Sequence, residues 1–173
     1  MNDPASWRGD EIAGDTEWRF SLDAGDLADL VSLARDLAEP IRRGDSSLSD
    51  IGPEPAVPAA VTTIAAAIRE QLLGGRGFAL VRGLPADELD LIENSVLYWL
   101  VGCQVGIPMH QNAANDVLIR VRDEGKDFEQ QGVRAYETNA NLDYHTDSSD
   151  VVALYCLRPA MEGGPSTIVS SVA

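Results

Sequence analysis

A chain of 173 residues with 45% apolar side chains is long enough to bury one core and is expected to form a single domain. Its net charge of −15 favours solubility and argues against a nucleic-acid partner, because neutralising phosphates takes clustered Lys and Arg. No stretch approaches the ~18 consecutive apolar residues of a membrane-spanning helix, and the N-terminus has no basic segment followed by an apolar core. A cytoplasmic protein without membrane contact is therefore expected.

Of the 28 acidic residues, 13 lie within residues 1–55 against five Arg, a bias expected of a solvated helix face. The first helix is expected over residues 21–38, with Ser21 and Asp23 as caps, an apolar face of Leu22, Leu27, Leu30, Val31, Ala34 and Leu37, and Pro40 as its stop. Gly44–Pro58, with three Ser, two Gly and three Pro, is a loop. A second helix is expected from about Pro58 to Leu73, with Val61, Ile64, Ala65, Ile68 and Leu72 inward and Gly74-Gly75 as its stop. The glycines of GGRG follow a helix and lack a following Gly-Lys-Ser/Thr, so they do not form a phosphate loop.

Phe78–Arg82 reads as a short strand. Pro85 and Asp87 are expected to open a third helix carrying Leu89, Ile92, Val96 and Leu100 inward before Gly102. Val117–Val121 alternates like a strand, with Arg120 and Arg122 on the wet face. From Leu142 onward only strands are expected. Val151–Leu157 is almost continuously apolar, as in a strand covered on both faces, and Ser166–Val172 is a further strand. Cys103 and Cys156, both in apolar surroundings, are expected to be buried free thiols. A zinc site from Cys103, His110, His145 and Cys156 fails because no CxxC or HxxxH pair exists.

The segment Tyr144-His145-Thr146-Asp147 carries the chemistry. In an extended strand, side chains two apart project to the same face, so His145 and Asp147 would offer an imidazole nitrogen and a carboxylate oxygen side by side. Those are two of the three ligands of a 2-His-1-carboxylate triad, which leaves open positions on a non-haem Fe(II). An HxD tripeptide alone is more often a solvated strand end. Its context, RAYETNANLDYHTDSSDVVALYCLRPAMEGGPSTIVSS over Arg134–Ser171, together with the upstream GFALVRGLP of Gly77–Pro85, resembles the TauD/TfdA family of Fe(II)/2-oxoglutarate-dependent dioxygenases.

The resemblance covers roughly residues 75–173 and is specific as a combined pattern. It implies an α+β fold built on a double-stranded β-helix, or jelly roll, of the clavaminate synthase-like kind. Residues 1–74 would be a helical N-terminal part and 75–173 the first part of an incomplete jelly roll, truncated on its C-terminal side. It implies Fe(II) and 2-oxoglutarate, with oxidation of a small organic substrate and release of succinate and CO2. His145 and Asp147 match the first two metal ligands. Ser166, with Thr167 as runner-up, matches the hydroxyl that meets 2-oxoglutarate. Asn141, Asn139, Tyr144, His110 and Gln111 fall where the family contacts substrate, and Asp143 and Asp150 lean the site toward a cationic or amino compound.

The distal His and the Arg that clamps 2-oxoglutarate in this family find no match. His110 lies upstream of the HTD segment, in the wrong order, and Arg158 reads as a structural strand end. The chain alone is thus expected to be inactive. Two other readings stand beside the truncated oxygenase domain: a subunit of a split oxygenase completed by a partner chain, and a catalytically dead jelly-roll fragment serving as a binding or structural module. A homo-oligomer or a complementing C-terminal chain is expected to cover the open sheet.

Overall fold

The computed structural model describes residues 3–52, 56–127, 129, 130 and 132–172. The chain divides into two compact units, Met1–Pro108 with Ala153–Ala173, and Met109–Val152. The first unit contains, in order, α1 (Gly9–Ile12), β1 (Arg19–Ser21), α2 (Ala24–Arg43), α3 (Ala59–Gly74), β2 (Leu80–Arg82) and α4 (Leu91–Val105). β1 and β2 pair in parallel, with Phe20 opposite Val81.

The α2 helix begins where Asp23 accepts the amides of Gly25 and Asp26 at 2.8 and 2.9 Å, satisfying donors that the first turn leaves orphaned. Leu30, Ala34 and Ala38 are buried, while Asp29, Asp36 and Glu39 are exposed, as expected of the acid-rich segment. The helix does not stop at Pro40 but runs through it to Arg43. A proline interrupts one i→i−4 bond and crowds the preceding turn, a cost that is tolerated near the helix end. The stop comes at Gly44, whose φ of 78° is left-handed. Its amide bonds the Ile41 carbonyl at 3.0 Å and the Asp45 amide bonds the Pro40 carbonyl at 2.9 Å, the paired closure of a Schellman end.

The α3 helix follows the expected boundaries and buries Val61, Ala65 and Ile68. Its glycine stop has a steric reason: a Cβ on Gly75 would lie 2.9 Å from the Gln71 Cα. Of the loop before α3, residues 53–55 lie outside the described residues. The rest contains a 3-10 turn at Leu48–Asp50 and is fastened to α4 by the Trp99 indole, which donates to the Ile51 carbonyl at 2.7 Å.

The cap of α4 is Asp90, three residues after Asp87. Its carboxylate accepts the Glu93 amide at 2.9 Å while Glu93 accepts the Asp90 amide at 3.0 Å, a reciprocal capping box. Residues 85–88 make a turn closed by the Glu88 amide on the Pro85 carbonyl at 3.1 Å. Arg42, in the last turn of α2, pairs with Asp90 and Glu39, which joins the end of α2 to the start of α4. Between these helices and α3 lie Leu30, Val61, Val96, Leu97 and Leu100, the most deeply buried large side chains, each stabilising the fold by roughly 1.5–3 kcal/mol through burial.

Among the described residues, one polar side chain shares this core. Asn94 is 3% exposed, and its amide reaches the carbonyls of Ala86, Leu89 and Asp90 at 2.9, 2.9 and 3.0 Å, so it braces the turn that leads into α4. The first unit also holds an aromatic cluster: the Trp7 ring lies 5.2 Å edge-on to Phe78, and the Trp18 ring lies 5.0 Å from Phe78. The Trp7 indole also donates to the Arg76 carbonyl at 2.8 Å.

The strands expected at Val117–Val121, Leu142–Asp147, Val151–Leu157 and Ser166–Val172 do not form, and the described residues contain no jelly roll. The physical reason is a missing partner. A strand exists by its ladder of hydrogen bonds to a neighbour, and no backbone-to-backbone hydrogen bond involves residues 139–172 among the described residues. Cys103 and Cys156 are free, as expected, but neither is buried: Cys103 is half-buried near the end of α4, and Cys156 is exposed on a segment that nothing covers among the described residues. No helix of the described residues is long and apolar enough to cross a membrane.

Candidate metal and cosubstrate site

The unit Met109–Val152 is built from turns. Asn112 accepts the amides of Ala114 and Asp116 at 2.9 and 3.1 Å, and Gln111 donates its amide to the Asp116 carbonyl at 2.7 Å. Asx turns of this kind satisfy the backbone locally without a helix or ladder. Further along, the amides of Arg122 and Glu124 bond the carbonyls of Tyr136 and Glu137 at 3.0 and 2.8 Å. This brings two segments side by side, and their side chains form an ion network: Glu124 meets Arg122 at 3.3 Å and Lys126 at 2.9 Å, and Lys126 also pairs with Glu137. The two bonded cations hold the Glu124 carboxyl below its ordinary range, the Lys126 ammonium first.

His145 and Asp147 follow in the same unit, both exposed. The His145 Nδ1 lies 2.8 Å from the Asp143 carbonyl oxygen. A carbonyl can only accept, so Nδ1 carries the proton and, in the neutral ring, Nε2 keeps the lone pair. A hydrogen bond at one ring nitrogen that orients the other is the usual support of a metal-binding histidine. The segment has no ladder, so the strand expected to put His145 and Asp147 on one face is absent. His110, Gln111, Asn141 and Tyr144 are likewise exposed, and Gln111 donates its side-chain amide to the Met109 carbonyl at 2.9 Å.

Ser166 and Thr167 belong to the other unit, where both are exposed. They follow Gly163 and Gly164, whose φ values of 68° and 66° are both left-handed. That conformation is nearly free for glycine and strained for other residues, which accounts for glycine at both positions even though the strand expected after them does not form. Sequence reasoning passed over one polar pair in this unit: Tyr155 donates its phenol to Asn94 Oδ1 at 2.8 Å and stacks on Tyr98 with centroids 5.6 Å apart. Burial, more than the Asp87 charge, raises the Tyr155 pKa, which keeps it a donor. The signal available in the sequence was a single Asn inside the apolar helix LIENSVLYWL.

The description "Taurine catabolism dioxygenase TauD, TfdA family" matches residues 36–173, and the chain belongs to the TauD/TfdA dioxygenase family. It is 29% identical to the FR-33289 synthase of Streptomyces rubellomurinus over 96% of its own length and 48% of that protein. It is 25% identical to a taurine hydroxylase-like protein of Stachybotrys chartarum over 99% of its length and 45% of that protein. The chain thus spans about half the length of the curated relatives it matches.

Members of this family typically use Fe(II) and 2-oxoglutarate. An imidazole nitrogen and a carboxylate fit two protein positions of such a centre. Among the described residues no three His, Cys, Asp or Glu side chains gather to hold a metal, so the described donors do not complete one.

Proposed function

We propose that this chain supplies the HxD portion of an Fe(II)- and 2-oxoglutarate-dependent oxygenase acting on a small organic substrate. The observation that carries the reading is the family match across residues 36–173, which includes His145, Asp147, Ser166 and Thr167. His145 would bind through Nε2, the atom left free by the hydrogen bond from Nδ1 to the Asp143 carbonyl, and Asp147 would supply the carboxylate. Bound Fe(II) with 2-oxoglutarate and O2 would supply oxidation of a substrate C–H bond, one oxygen atom going to succinate and the other to the substrate as CO2 is released. The Ser166 hydroxyl, or that of Thr167, would hydrogen-bond the cosubstrate. Asn141, Tyr144, His110 and Gln111 would orient the substrate, and the exposed Asp143 and Asp150 favour a cationic or amino compound.

Two protein ligands hold a metal weakly, because each ligand contributes a large share of the binding free energy. Calorimetric titration with Co(II) as a redox-inert substitute is therefore expected to show weak binding by residues 1–173, lost in His145→Ala and in Asp147→Ala. Binding that survives both substitutions would remove these residues from the metal site.

A further inference from the structure

The family match begins at residue 36, and residues 3–21, which precede it, are fastened to matched segments far along the chain. The Trp7 side chain, 7% exposed, packs edge-on to Phe78 and donates its indole to the Arg76 carbonyl at 2.8 Å. The Arg76 guanidinium in turn meets Asp15 at 3.0 Å and the Pro4 carbonyl at 3.4 Å. Gln71 donates its side-chain amide to the Glu17 carbonyl at 3.3 Å, and the Leu80 amide bonds the Trp18 carbonyl at 2.8 Å where β1 meets β2. Residues 3–21 thus form a strap, anchored at several points along its length to the end of α3 and to β2.

The strap also reaches the arm Ala153–Val172. Ser170 is half-buried, and its Oγ donates to the Ala5 carbonyl at 2.6 Å and accepts the Val172 amide at 3.3 Å. Ala5 lies between Pro4 and Trp7, two anchor points of the strap, so its carbonyl is a fixed acceptor. Among the described residues no backbone-to-backbone bond holds the arm. Its polar ties to the rest of the unit are side-chain bonds, from Tyr155 to Asn94 near one end and from Ser170 to Ala5 near the other. Ser166 and Thr167 lie between the Gly163-Gly164 pair and the second tie. Glycine gives the backbone unusual freedom on one side of them, so the Ser170 bond is the restraint on the other.

We propose that Ser170 is a positioning residue for the hydroxyl that meets 2-oxoglutarate, with residues 3–21 as the strap it works against, which rests on the reading of Ser166 or Thr167 as that hydroxyl. A binding group ordered before the ligand arrives spares the entropy of ordering it afterwards, and groups that touch a ligand are held by a second layer of contacts behind them. Ser170 on Ala5 is such a contact, made to a segment that lies outside the matched residues.

Two readouts test this on the 173-residue chain. A nitroxide on Ile168→Cys, at a position 55% exposed between Thr167 and Ser170, reports local motion in a chain carrying Cys103→Ser and Cys156→Ser. Ligand-observed NMR with Zn(II) present reports weak binding of 2-oxoglutarate. Ser170→Ala is expected to narrow the nitroxide lines and weaken 2-oxoglutarate about fivefold, the share of one hydrogen bond, with Zn(II) affinity unchanged. Ser170→Thr, which keeps the hydroxyl, should restore both readouts, and Asp15→Asn, which loosens the strap without touching the arm, should move both in the direction of Ser170→Ala. Unchanged nitroxide motion in Ser170→Ala overturns the proposal. So do narrowed lines with unchanged 2-oxoglutarate affinity, which would leave Ser170 a structural contact alone. The double substitution Ser166→Ala, Thr167→Ala tests the cosubstrate reading separately: unchanged affinity there, or no detectable binding by the wild-type chain, overturns that reading and with it the role given to Ser170, whatever the nitroxide shows.

Discussion

At the scale of single residues, Asn94 is an internal polar group whose satisfaction is complete. Its side-chain amide serves three carbonyls and its oxygen accepts from Tyr155. Buried polar groups that lose a partner cost the full desolvation of what remains, about 1–3 kcal/mol each. Asn94→Ala is therefore expected to lower the unfolding free energy by about 2–3 kcal/mol, measured by urea denaturation. Tyr155→Phe keeps the stack on Tyr98 and removes only one hydrogen bond, so its cost should be near 1 kcal/mol. Equal losses in the two variants would show that Asn94 braces nothing beyond Tyr155. The Asn was legible in the sequence as an exception in an apolar helix, but its partners lie in a turn and in an arm 61 residues away, which no local pattern reveals.

At the scale of elements, the junction of α2 and α4 depends on Asp90, which caps α4 and meets Arg42. The Glu93 amide, more than the Arg42 guanidinium, holds the Asp90 carboxyl below its usual value of 3.8. A carboxyl depressed by folding contributes stability that is present above its unfolded pKa and is lost as pH falls through the lower folded value. Between pH 5 and 2.5 the unfolding midpoint of the wild-type chain should thus fall more steeply than that of Asp90→Asn. Parallel slopes would show that the cap carries no pH-linked stability. Helix existence was legible here because apolar spacing and glycine stops are local, whereas the ends moved. Pro40 failed to stop α2 and Asp90 displaced Asp87, since a cap is decided by which side chain reaches the free amides.

At the scale of the whole molecule, the helices of the first unit share a core while the arm Ala153–Val172 has no ladder. Local stability follows buried apolar contact and protected backbone bonds. In the isolated chain, amides of α2, α3 and α4 are expected to exchange only through cooperative opening, and those of the arm within seconds. Exchange of the arm as slow as that of the helices would mean it is already paired in solution. Exposed apolar residues on the arm also make the isolated chain prone to associate at high concentration, a tendency the −15 charge opposes.

The HTD segment, the Gly163-Gly164 pair and the helical spacing are properties of neighbouring residues, so the sequence alone determined the family, three helices, a strand at Leu80–Arg82 and a candidate ligand pair. The parallel pairing of β1 with β2, the aromatic cluster of Trp7, Trp18 and Phe78, and the bracing of α4 by Asn94 join residues far apart in the chain. Only the tertiary structure could decide them. It also decided against strands in the last third: Val151–Leu157 has the composition of a strand buried on both faces, but composition supplies no neighbour, and an extended segment becomes a sheet strand only when another backbone bonds to it.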